Sequence, residues 1–67
     1  MEKLREYRKR AGMSMDALAK AVGVSMHSIF RWETGKTNPT AKEVVLLSDV
    51  LNVPPNELLG VGEGGEK

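Results

Sequence analysis

Apolar residues in the first 59 positions recur at spacings of three and four and never settle into alternation, so helices are the predicted elements. Leu4, Tyr7 and Ala11 fall on one stripe of a helix predicted over about 2–11, and Gly12 ends it. Ser14 is a good N-cap for a second helix over 15–22. Leu18, Ala19 and Val22 form its inner face, and Val24 packs inward after the Gly23 stop. Ser25 caps a third helix over 26–33, which Gly35 terminates. Thr40-Ala41-Lys42-Glu43 has the form of a capping box, which starts a fourth helix over 41–51 with Val44, Leu47, Ser48 and Leu51 inward. Asn52 closes that helix and Val53 packs inward. Pro55 opens a short fifth helix over 55–59, with Leu58 buried. The expected fold class is all-α: a compact five-helix domain over 1–59. The glycine-rich, acidic GVGEGGEK of 60–67 is expected to be a flexible tail.

The third helix is amphipathic in an unusual way. At about 100° per residue, Ile29, Trp32 and Glu33 share one face. His27, Phe30, Arg31 and Thr34 share the opposite one, with Met26 and Ser28 on the flanks. Only Gly23, Val24 and Ser25 join this helix to the one before it. So short a joint favours a steep crossing, the geometry of a helix-turn-helix, over a long antiparallel hairpin. Two charges break the pattern: Arg8 falls inside the apolar stripe of the first helix, and Glu33 on the inner face of the third.

Composition narrows the function classes. A chain of 67 residues makes one domain, and a domain of that size buries only about 60% of its unfolded surface. It contains no cysteine and a single histidine, so no disulfide, thiolate metal site or zinc site is expected, and no cofactor. Stability must come from packing, alone or with a partner chain. Glu43, Asp49 and Glu57 have no nucleophile or second histidine beside them. Gly62, Gly64 and Gly65 only mimic a phosphate loop, because no strand precedes them. An enzyme is therefore not expected. The longest apolar run, Val44 to Leu47, is too short to span a bilayer, and MEKLREYRKR lacks the apolar core of a signal peptide. The expected location is the cytoplasm, without a membrane partner.

The net charge of +1 hides an uneven distribution. Residues 1–39 carry eight Lys or Arg against four acids, whereas residues 40–67 carry two against five. A basic half of this kind suits a polyanion.

Leu18-Ala19, Gly23-Val24-Ser25, Ile29, Trp32-Glu33, Gly35-Lys36 and Pro39 together resemble the helix-turn-helix domain of lambda-type repressors and Cro, the xenobiotic-response-element family. The resemblance covers residues 4–59. It implies that the third helix enters the major groove of DNA while the second lies across the backbone. On that pattern Met26, His27 and Arg31 match base-reading positions, with Phe30 beside them. Ser14, Met15, Ser25 and Ser28 match backbone contacts, as does the loop of Lys36, Thr37 and Asn38. Arg8 and Glu33 match a structural ion pair. Met15 departs from the family, which usually has a phosphate-binding glutamine there. Leu46 and Val50, usually polar in the family, lie outside the inner stripe and are candidates for a dimer contact.

The function this implies is sequence-specific binding of double-stranded DNA by a small transcriptional regulator, a repressor. It would act as a homodimer on a palindromic operator, with half-sites roughly 34–36 Å apart. Two other readings stay open: a protein-interaction module that grips a partner with Met15, Met26 and Phe30, and an antitoxin-type regulator that binds DNA and a protein together.

Overall fold

N-caps decide where most of the helices begin. Ser14, Ser25 and Thr40 each hold extended backbone, and each accepts an N–H from three residues on: Ala17 at 3.0 Å, Ser28 at 3.2 Å and Glu43 at 3.2 Å. At Thr40 the backbone N–H also donates to Glu43 Oε1 at 2.8 Å, which completes the capping box. The computed structural model describes Met1 and residues 3–59. Its helices in order are α1 (Leu4–Arg10), α2 (Met15–Val22), α3 (Met26–Thr34), α4 (Ala41–Leu51) and α5 (Pro55–Leu59), and no strand occurs among the described residues. The tail expected at 60–67 lies outside the described residues.

Two helix ends differ from the sequence reading for local reasons. α1 starts at Leu4 rather than near residue 2, where no Ser, Thr, Asp or Asn is present to cap it. Its C-cap, Ala11, is exposed instead of lying on the inner stripe. α3 runs one residue further, to Thr34, whose Oγ1 donates back to the carbonyls of Phe30 and Arg31 at 2.9 and 3.3 Å.

The core draws on all five helices. Leu4, Leu18, Ala19, Val22, Ile29, Trp32, Leu47, Leu51 and Leu58 form one buried cluster. Each fully buried leucine or isoleucine contributes about 1.5–3 kcal/mol. α2 packs against α3 and α4, α1 against α3, and α4 against α5. Leu46 and Val50 do not stand clear of this core: both are half-buried and pack against it. Val45 and Leu59, at 52% and 53% exposure, are the large apolar side chains that α4 and α5 leave to solvent.

Candidate nucleic-acid interface

α3 sorts its side chains sharply. Ile29 and Trp32 are buried in the core, while Met26 and Phe30 are 46% and 48% exposed and His27 and Arg31 are exposed beside them. The face thus leaves an apolar pair open to water next to a cation and an imidazole.

The turn before α3 and the loop after it hold that face in place. The N–H groups of Gly23 and Val24 both donate to the Ala19 carbonyl, at 2.8 and 3.0 Å. Gly23 takes a φ of 86°, a left-handed conformation that glycine adopts without steric cost. At the far end, Gly35 donates to the Trp32 carbonyl at 3.3 Å, and Lys36 and Thr37 donate to the Arg31 carbonyl at 2.9 and 3.4 Å. These bonds fold the exposed Lys36, Thr37 and Asn38 back over the end of α3.

The ion pair of Arg8 and Glu33 ties α1 to the same end. Arg8 Nε donates to Glu33 Oε2 at 2.5 Å and Arg8 Nη2 to Oε1 at 3.3 Å. Arg8 Nη1 reaches the Met13 carbonyl at 2.9 Å. The two side chains retain only 10% and 5% of their exposure. α3 is thereby tied to the rest of the domain at both ends.

The residues matched to backbone contacts differ in what they can offer. Ser14 and Ser25 use their oxygens as acceptors for the caps, which leaves their hydroxyl protons to donate elsewhere. Ser28 is half-buried, with its Oγ 3.3 Å from Ser25 Oγ, so one of the two hydroxyls donates to the other. Met15 is half-buried against the core and brings no donor side chain. It also lines an open cleft of about 190 Å³ with Arg5, Arg8, Phe30, Glu33 and Thr34. Arg5 and Thr34 are absent from the site residues read from the sequence. The available signal for Arg5 was its place three residues before Arg8, with no acid four positions away on either side.

A model of the helix-turn-helix family matches residues 4–58 of this arrangement. The chain belongs to the helix-turn-helix family. The helix-turn-helix family to which it belongs is one of lambda-repressor-like DNA-binding transcriptional regulators, not a class of enzymes. Repressor protein C2 of Salmonella phage P22 is 38% identical over 58 residues, covering 87% of this chain and 27% of the relative. The HTH-type transcriptional regulator DicA of Escherichia coli K12 is also 38% identical over 58 residues, covering 87% of this chain and 43% of the relative. The chain thus spans less than half the length of either. In a crystal structure, the P22 c2 repressor in complex with synthetic operator 9T matches this helix-turn-helix domain with a TM-score of 0.82 and 37% identity, over 85% of this chain and 86% of that one. Among the described residues no helix is long and apolar enough to cross a membrane.

Proposed function

We propose that the chain binds double-stranded DNA sequence-specifically as a transcriptional repressor, with α3 seated in the major groove. The observation that carries this reading is the exposed row of Met26, His27, Phe30 and Arg31 on a helix whose other face, Ile29 and Trp32, is buried. Arg31 pairs with guanine O6 and N7, worth about 1–3 kcal/mol of discrimination. His27 donates to a base or a phosphate, and Met26 packs on a thymine methyl, with Phe30 beside them. Ser14, Ser25, Ser28 and the start of α2 at Met15 meet one stretch of backbone, and Lys36, Thr37 and Asn38 meet the next. The likeness to a repressor solved on its operator supports this placement.

The acting unit is a homodimer on a palindromic operator in the cytoplasm. Leu46 and Val50, half-buried on α4, contribute their remaining apolar surface to the contact between copies.

Titration against duplex DNA at two salt concentrations tests the reading. Affinity should fall steeply with salt, with a log–log slope of about −0.9 per neutralised phosphate. Arg31→Ala should narrow the gap between operator and random duplex. A uniform loss on all duplexes would instead make Arg31 a phosphate contact. The apolar exposure of Met26 and Phe30 favours a second reading, a protein partner on the same face. Binding to such a partner with duplex affinity absent at low salt would establish it in place of the first.

A further inference from the structure

We infer that Met26 is a reversible oxidation site, through which hydroperoxides loosen the hold of α3 on its operator. The inference rests on the reading of α3 as the DNA-facing helix and adds a means of regulating that face.

Sulfur chemistry singles out Met26. The chain contains four methionines and no cysteine. Without a thiolate to take up peroxide, thioethers are the sulfur nucleophiles the chain offers. Met1, Met13 and Met15 are half-buried and pack against the core. Met26 is 46% exposed, in the first turn of α3. The sulfur most open to peroxide therefore lies on the face assigned to the groove.

The reaction balances between the thioether and the peroxide. A sulfur lone pair attacks one peroxide oxygen, and the S–O bond forms as the O–O bond breaks. The departing hydroxide takes the remaining proton and leaves as water. Sulfur loses two electrons and the peroxide gains them. A methionine sulfoxide reductase with a dithiol runs the reverse: the oxygen leaves as water and the two thiols become a disulfide.

The product does not suit the contact. A sulfoxide accepts hydrogen bonds and donates none. In the free protein its oxygen is hydrated, because Met26 is exposed, so the fold loses nothing. Against a thymine methyl the oxygen gives up that water, and Phe30, 48% exposed one turn on, brings no donor to replace it. A desolvated acceptor without a partner weakens binding by roughly 5- to 150-fold. Contacts to phosphate are made by other residues and stay intact, so the loss falls on sequence-specific binding.

The test treats the whole chain with hydrogen peroxide until it carries about one added oxygen, and locates that oxygen by peptide mass spectrometry. Fluorescence anisotropy then measures binding to a duplex selected from a random pool and to random duplex. The oxygen should map to Met26. Affinity for the selected duplex should fall roughly 5- to 150-fold, with random-duplex affinity and melting temperature unchanged. Reductase with dithiothreitol should restore the selected-duplex affinity, a readout on the unaltered sequence that needs no variant to fold. Met26→Leu, compared only with itself before and after peroxide, should show no further loss, whereas Met13→Leu should still show it. Oxygen arriving first on Met1, Met13 or Met15 overturns the inference, as does undiminished selected-duplex affinity with Met26 oxidised. An equal loss on both duplexes, or a lower melting temperature, overturns it too, since the oxygen would then act through the fold or the backbone contacts. In each of these cases the unoxidised protein still binds its selected duplex, and the reading of α3 stands. If the unoxidised protein binds no duplex at any salt, the DNA reading itself falls and takes this site with it.

Discussion

Arg8 and Glu33 show how a charge can belong in a core. Each is nearly buried, and each satisfies the other through two hydrogen bonds while Arg8 adds a third to the Met13 carbonyl. Removing one partner strands the other. Arg8→Met or Glu33→Leu alone is expected to cost about 3–5 kcal/mol, and the double replacement far less than the sum. Small domains are stable by only about 5–15 kcal/mol, so each single variant should lose much of its denaturant midpoint. Additive, mild losses in a double-mutant cycle would show that the pair is not coupled. Tyr7, the neighbour of Arg8 on α1, offers a second test. Its hydroxyl donates to Glu57 Oε1 at 3.1 Å, and the Arg10 guanidinium lies 5.4 Å from its ring centre. Burial first, and then the Glu57 hydrogen bond and charge, raise the Tyr7 pKa above its ordinary 10.0. The unfolded chain then loses this proton before the folded one does. The resulting stability is complete below about pH 10 and disappears as pH rises through the folded pKa. Tyr7 is the only tyrosine, so tyrosinate absorbance reports it alone. Its midpoint should lie above 10.0 and move down in Glu57→Gln, though not fully, because burial remains. A midpoint already at the ordinary value would mean that the tie to α5 is not held in solution.

Among the elements, α2, its turn and α3 form the unit on which function depends. Gly23 isolates one cost within it. A Cβ there would meet no heavy atom within 4 Å, yet φ is 86°. Gly23→Ala is therefore expected to destabilise by about 1–2 kcal/mol through backbone strain alone, read as a lower melting temperature with no change in the duplex affinity of the folded fraction. A loss of affinity beyond that fraction would mean that the substitution re-aims α3. The starts of α2, α3 and α4 were legible because Ser14, Ser25 and Thr40 act within three residues of themselves. The pairing of Arg8 with Glu33 was legible for a different reason: a cation and an anion that both fall on inward faces are natural partners. The half-burial of Leu46 and Val50 was not legible, since the extent to which neighbouring elements close around α4 is a tertiary matter that its periodicity does not carry.

For the molecule as a whole, the small core and the absence of any disulfide make stability sensitive to what it binds. A ligand that binds only the folded state adds stability by mass action, about 2.7 kcal/mol when free ligand stands at a hundred times its Kd. In a domain of this size each kcal/mol moves the melting temperature by roughly 4–8 °C. A selected operator duplex at that excess should therefore raise the melting temperature by roughly 10–20 °C. The basic residues concentrated in positions 1–39 give a random duplex some of the same effect at low salt, because phosphate contacts ignore sequence. Raising the salt should erase the random-duplex shift first, since base contacts made by α3 add affinity that counterions do not displace. The gap between the two duplexes should then be widest at intermediate salt, and Arg31→Ala should shrink it while leaving the shift from random duplex in place. Equal shifts from both duplexes at every salt concentration would reduce the domain to a general polyanion binder, and the outward face of α3 would need another explanation.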